Sequence, residues 1–308
     1  MQLEVLKSTQ REGTIRNSRQ VLLQLKGKTG NQLFQYAAGK YLSQQLDAEL
    51  LVYQDAKDVG TIPNTLLHFK TQARLASQQD LRRCFWPASK PRGQKHRLCR
   101  EFLAGYAQRF IEDELPTSLA LPQPMTRPLH LSGFFQNFEA ADALGVSLRQ
   151  DLILKTEMAP QRRHILHQIR SGPSAALHIR RGDYLEPAHQ EAFGSCDLSY
   201  YTQAITLLRN TYGVNTFYLF SDDPEWARAH LGGKRYIQIV PPLGDHRDHE
   251  DILLIAACDH AVIANSSFSW WGAYLNRSPR KVIIAPKIWF RDGSIDEDRL
   301  LPPTWLRL

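Results

Sequence analysis

Ala175-Ala176-Leu177-His178-Ile179-Arg180-Arg181-Gly182-Asp183 is a short apolar run that ends in two arginines, a glycine and an acid. It reads as a strand over Ala175–Ile179 that gives way to a glycine turn. Ligands of open α/β sheets collect beyond the carboxyl ends of the strands. An arginine there offers a planar fork of donors that fits phosphate oxygens. Two forks beside Gly182 and Asp183 suit a diphosphate, above all one that departs with negative charge. Paired arginines also occur on ordinary surfaces, and neighbouring side chains of a strand face opposite ways. Both reach one ligand only if the turn redirects one of them.

Outward from that run the chain alternates. Helices are expected at Leu198–Tyr212, Pro224–Leu231, Glu250–Ala257 and Ser267–Leu275. Strands are expected between and after them, at Phe217–Phe220, Tyr236–Val240, His260–Ala264 and Val282–Ala285. Such alternation implies right-handed crossovers and a parallel sheet. Upstream, Val21–Leu25 reads as a strand and Gln32–Leu46 as a helix, the opening unit of a second sheet of the same kind. Leu129–Phe134 reads as another strand, and Arg162–Arg170 as a helix before the Ser171-Gly172-Pro173-Ser174 break. Residues 60–128 are rich in Arg, Lys and Pro and have poor periodicity, so only short helices are expected there. The expected organisation is an extension over 1–20, one lobe over 21–155 and a second over 156–308. The C-terminal tail has the option of packing back on the first lobe.

Composition sets limits. The 308 residues are 43% hydrophobic and carry a formal charge of +7, enough for a large core in about two domains. The basic balance favours an anionic substrate or, peripherally, an anionic membrane surface. No zinc-finger spacing or RNP-type strand accompanies it, so nucleic acid is not an expected partner. Cys84, Cys99, Cys196 and Cys258 form no Cys-x-x-Cys pair, which speaks against structural zinc and for a reducing compartment. The first twenty residues lack the apolar core of a signal peptide, and no window resembles a membrane span. A cytoplasmic protein is expected, at most peripheral to the inner face of the membrane.

Three further strand ends could share the ligand of Arg180. Asn265-Ser266-Ser267 opens the helix that begins with Phe268, where free N–H groups and the positive dipole end favour an anion. A plain N-cap explains the same residues. Ser221-Asp222-Asp223-Pro224 follows a strand. One Asp caps the next helix and the other is left over. A spare carboxylate there can accept from the N1–H and 2-amino group of guanine. Gly27-Lys28-Thr29-Gly30-Asn31 is neither a Walker A loop nor a Gly-x-Gly-x-x-Gly turn. Gly30 permits close backbone approach there, and Asn31 offers an amide donor or an ordinary N-cap. The run Asp245-His246-Arg247-Asp248-His249-Glu250-Asp251 lacks the His spacing of a zinc helix and reads as a solvated loop with an acidic first turn.

Taken together, these motifs resemble those of a known family. His178-Ile179-Arg180-Arg181-Gly182-Asp183 resembles the His-x-Arg-Arg-x-Asp signature shared by α1,2-, α1,6- and protein O-fucosyltransferases. Gly30-Asn31-Gln32-Leu33-Phe34-Gln35-Tyr36-Ala37, Gly133-Phe134-Phe135-Gln136, Phe220-Ser221-Asp222-Asp223 and Asn265-Ser266-Ser267-Phe268-Ser269-Trp270-Trp271-Gly272 resemble elements of the α1,2-fucosyltransferases of glycosyltransferase family 11. The resemblance runs in order from about residue 21 to 290. It implies an α/β protein of GT-B-like form, with two Rossmann-type lobes and a cleft between them. It also implies GDP-fucose as donor, a galactose-terminated acceptor, inversion, no cofactor and no essential metal. Arg180, Asp183 and Asn31 would serve catalysis. His178, Arg181, Asp222, Asn265, Ser266, Ser267, Phe268 and Gly30 would join Arg180 and Asn31 in holding the donor, with Asp222 reading guanine. Asp183, Glu186, His189 and Glu191 are the candidate general bases. One departure stands out: the family reads Gly-Gly-Leu-Gly-Asn-Gln where this chain has Gly27-Lys28-Thr29-Gly30-Asn31-Gln32. A different linkage, another GDP-sugar, or a nucleotide-binding protein without turnover remain alternatives.

Overall fold

A computed structural model describes residues 19–55, 58–85, 110–112, 128–186, 190, 194–244, 247–291 and 296–308. The expected extension, apart from residues 19 and 20, and the candidates His189 and Glu191 lie outside the described residues.

Strand β1 (Gln20–Leu25) is apolar at four of its six positions and buried on both faces, as a central parallel strand must be. It pairs in parallel with β2 (Glu49–Gln54) on one side and β5 (Leu129–Ser132) on the other. With β3 (Arg74–Leu75) and β4 (Phe110–Glu112) at the edges, the order is β3-β2-β1-β5-β4. Between β1 and β2 runs α1 (Thr29–Gln45). Helix α2 (Gln78–Phe85) follows β3, and α3 (Phe138–Asp151) follows β5 and lies on α1.

The second sheet is built from β6 (Ser174–Ile179), β7 (Thr216–Ser221), β8 (Ile237–Ile239), β9 (His260–Val262), β10 (Ile283–Ala285) and β11 (Leu306–Arg307). All its pairings are parallel and its order is β11-β10-β9-β6-β7-β8. That is the order of a dinucleotide-binding sheet, with the reversal of direction between β6 and β9. Helices α5 (Leu198–Tyr212), α6 (Pro224–Leu231), α7 (Asp248–Ala257) and α8 (Ser267–Leu275) make the crossovers. α4 (Pro160–Ile169) precedes the sheet and packs on α7, and α9 (Glu297–Leu300) rests on α3 of the first lobe.

The lobes share one core. Phe34 of α1 meets Trp270 and Trp271 of α8 with ring centroids 4.5 and 5.1 Å apart. A single apolar cluster therefore runs from β1 through α1 and α8 to β9. Trp270 and Trp271 are both wholly buried.

Candidate active site

The carboxyl ends of β1, β6, β7 and β9 converge on one cavity of about 430 Å³. Gly27 to Asn31 and Gln136 line it from the first lobe. His178, Arg180, Asp183, Asp222, Asn265, Ser266, Ser267 and Phe268 line it from the second. The three expected strand ends thus meet around a single space.

Arg180 is its electrostatic centre. Its Nη2 donates to both oxygens of Asp183 at 2.6 and 2.7 Å, and its Nη1 lies 3.0 Å from Asp222 Oδ2. A guanidinium held this way loses little freedom when it meets a ligand. Asp183 opens a short 3-10 turn, Asp183–Leu185, directly after the strand. Partial burial works to raise its pKa, but Arg180 and Lys28 outweigh that and hold it below the usual carboxylate range. The other Asp222 oxygen accepts from the Arg181 backbone N at 2.9 Å. Asp222 therefore ties the arginine turn together, and a Cβ on Gly182 would stand 2.8 Å from its Oδ2. Asp223 is the cap, accepting from Trp226 N at 3.0 Å.

Arg181 departs from expectation. Its guanidinium lies over the Trp226 ring, 4.2 Å from the centroid, with Nε 3.5 Å from Asp223 Oδ2. It is absent from the cavity wall. Both arginines follow the end of β6, and the turn there does not bring the second guanidinium to the cavity.

His178 is buried and 5.3 Å from the Phe268 ring, and its Nδ1 meets no partner. Burial, helped by the Arg180 charge, pushes its pKa down to about 3, so the ring is neutral. Asn265 lines the cavity but spends its amide on structure, donating to the Gly194 and Trp289 carbonyls at 3.0 and 3.2 Å. Tyr184 donates to the Asn265 carbonyl at 2.9 Å. Ser266 occupies the N-cap position of α8 without a side-chain cap bond.

The first-lobe loop is tighter than expected. Helix α1 begins at Thr29, so Gly30 and Asn31 sit in its first turn and Lys28 is the N-cap. Gly30 is not kept open for a ligand alone. A Cβ there would lie 2.5 Å from Phe268 N, so the missing side chain admits the start of α8. Asn31 is not a cap either. Its Oδ1 accepts from Gln136 Nε2 and Ser267 Oγ, both at 3.0 Å, and so joins the two lobes. Gln136 is aimed by a strained step, because Phe135 beside it has φ +52°.

The expected acidic first turn is there, as the start of α7, but its burial was not foreseen. His249 and Glu250 are buried, and Asp248 and Asp251 line the cavity. Thr29 Oγ1 donates to Asp248 Oδ2 at 2.5 Å across the lobes. The fully buried Arg162 of α4 grips Asp251, with Nε 2.6 Å from Oδ1 and Nη2 3.1 Å from Oδ2. Burial pushes the Asp251 pKa up to about 7, with that arginine working against it. Its one sequence signal is a charge on an apolar face: Arg162 stands at helical spacing from Ile165, Leu166 and Ile169. Asp245 and His246 lie outside the described residues.

Among the described residues no group of three or more His, Cys, Asp or Glu is placed to hold a metal ion. No described helix is long and apolar enough to cross a membrane.

A family model described as Glycosyl transferase family 11 matches residues 17–308. An alpha-1,2-colitosyltransferase of Escherichia coli is 27% identical over 305 residues, covering 94% of this chain and 98% of that protein. The O-antigen biosynthesis glycosyltransferase WbnK of Escherichia coli is 32% identical over 136 residues, 44% of either chain. Human galactoside alpha-(1,2)-fucosyltransferase 1 is 27% identical over 158 residues, 48% of this chain and 43% of that protein. The chain thus spans less than half the length of those last two relatives. Among solved structures, the fucosyltransferase NodZ from Bradyrhizobium superposes with a TM-score of 0.53 at 13% identity, covering 86% of this chain and 96% of that one. POFUT1 in complex with GDP-fucose gives 0.52 at 14%, covering 87% and 98%. At such identities the likeness speaks for the fold alone, and that fold is GT-B.

Proposed function

The chain belongs to glycosyltransferase family 11, and from that premise we propose that it moves L-fucose from GDP-fucose to O2 of a terminal β-galactoside, with inversion at the anomeric carbon. One observation carries the reading. Arg180, the amino end of α8 and the Asn31–Gln136 pair open on one cavity at the carboxyl edges of two parallel sheets.

The acceptor oxygen forms its bond to C1 from the face opposite the nucleotide. The C1–O bond to the diphosphate breaks, and its electron pair passes to the β-phosphate oxygen. Arg180 and the free N–H groups at the start of α8 receive that charge. Asp183, bound to Arg180 through both oxygens, aims the guanidinium rather than taking a proton. Asn31 holds the first lobe against Ser267, which keeps the two halves of the site in register. His178, neutral and tilted against Phe268, forms part of the wall. We assign the guanine edge to Asp251 rather than Asp222. Both carboxylates line the cavity and are held by an arginine, but Asp222 also closes the arginine turn through the Arg181 backbone, whereas Asp251 has only the buried Arg162 behind it. In this reading no metal or organic cofactor takes part. A location in the cytoplasm, peripheral to the membrane at most, goes with a nucleotide-sugar donor.

A second reading concerns the donor sugar. The near end-to-end match to an alpha-1,2-colitosyltransferase favours it. Colitose is fucose without its 3-hydroxyl, so one polar contact separates the two. The test is incubation with GDP-fucose and with GDP-colitose over a panel of β-galactosides, with linkage and anomer read by NMR. An α1,2-fucoside is the expected product. A product from GDP-colitose alone would replace the donor, and binding without any transfer would sink the reading.

A further inference from the structure

Charge around the cavity does not balance for a diphosphate. Among the described residues, Lys28 and Arg180 are the cations on its wall, against Asp183, Asp222, Asp248 and Asp251. Arg180 is already gripped by two of these acids. Arg181 has turned away to Asp223 and Trp226, and Arg162 stands behind Asp251. His178 is neutral. A diphosphate adds more negative charge, and a helix terminus offers only about half a unit of positive charge in return.

Lys28 is placed to close that gap. Its side chain is 73% exposed, with Nζ 3.4 Å from the Asp183 oxygen that also binds Arg180. The ammonium therefore stands at the mouth beside the arginine, but on the opposite lobe. A pair so exposed contributes little to stability. Lys28 also makes no side-chain cap bond to α1. Apart from that exposed pair with Asp183, no described contact accounts for a cation there.

We infer that Lys28 is a catalytic residue that contacts the β-phosphate of the nucleotide sugar and shares with Arg180 the charge released when the C1–O bond breaks. The inference rests on the GDP-sugar reading above. In the step itself, the bond electrons go to the diphosphate oxygen, the acceptor oxygen bonds C1, and its proton goes to a base or to water. Lys28 keeps its protons and supplies charge alone.

The test compares wild type, Lys28→Gln and Lys28→Arg. GDP and GMP binding are measured by calorimetry, and turnover with the donor identified above. GDP affinity and turnover should each fall about tenfold or more in Lys28→Gln, GMP affinity should stay within about twofold, and Lys28→Arg should recover most of the loss. Wild-type activity should be indifferent to EDTA. The inference is overturned if Lys28→Gln binds GDP and turns over like wild type, or if GDP and GMP affinity fall equally. It is also overturned if EDTA abolishes activity and magnesium restores it, since a metal then supplies the charge. A wild type that binds no GDP and transfers no sugar would instead remove the underlying reading.

Discussion

Arg180 makes contact with three carboxylate oxygens and still faces the cavity. Its value lies in being aimed before the substrate arrives. Arg180→Ala should lower turnover by about a hundredfold or more, the usual cost of one preorganised donor, with an unchanged circular dichroism spectrum. Arg180→Lys keeps the charge but loses the fork and should recover little. A variant with wild-type kinetics would remove Arg180 from the reaction. His178 makes a prediction of a different kind. An unfolded histidine titrates near 6.5, while the folded ring resists protonation down to about 3. Between those values the unfolded chain binds a proton that the folded chain refuses, so stability falls as pH falls below 6.5. Against wild type, His178→Gln should therefore gain about 1.4 kcal/mol for each pH unit below 6.5 in urea melts. Parallel pH curves for the two would show that the ring is not buried neutral.

Helices α1 and α8 meet amino end to amino end, and Gly30 makes the meeting close. With backbone of Ser267 and Phe268 2.5 Å from its virtual Cβ, no flexible side chain can move aside. Gly30→Ala should cost about 1–3 kcal/mol through overpacking and should cut turnover at least as much as stability, by shifting α8 against Asn31. A thermal melt and a kcat measurement check both; an unaltered Tm would mean that the helices are farther apart. At this scale the sequence is legible where periodicity is clean. Helices α5, α6 and α8 have the bounds expected for them. Helix α1 starts three residues earlier than expected, because Thr29-Gly30-Asn31 reads as a turn until α8 is there to hold it. Helix α3 was missed although Ala141, Leu144 and Leu148 keep helical spacing, and Gly145, at φ +47°, kinks it. Strand β11 is two residues long and owes its existence to β10.

Across the molecule, the lobes are joined by apolar contact of Phe34 with Trp270 and Trp271, and by the Thr29–Asp248 hydrogen bond at the cavity. Thr29→Val removes that bond and leaves an acid on the wall without its donor. It should cost about 1–3 kcal/mol and raise KM for the donor several-fold, read by urea melts and initial rates. A nucleotide bound between the lobes stabilises both, so GDP at a hundred times its Kd should add about 2.7 kcal/mol, seen as a rise in Tm that ADP does not give. An equal rise with ADP would mean that no group reads guanine.

By itself the sequence determined the parallel second sheet, the arginine turn at its centre and the helix amino end that faces it. These rest on hydrophobic period and on glycine and hydroxyl residues at strand ends, which are local properties of the chain. Only the tertiary structure decided that Arg181 leaves the site, that Asn31 is a bridge, and that the acidic first turn of α7 is buried and forms cavity wall. Each of those outcomes depends on what a residue meets from more than thirty positions away. Side-chain direction, burial and charge pairing come into being when two lobes close on one another, and no window of sequence contains both partners.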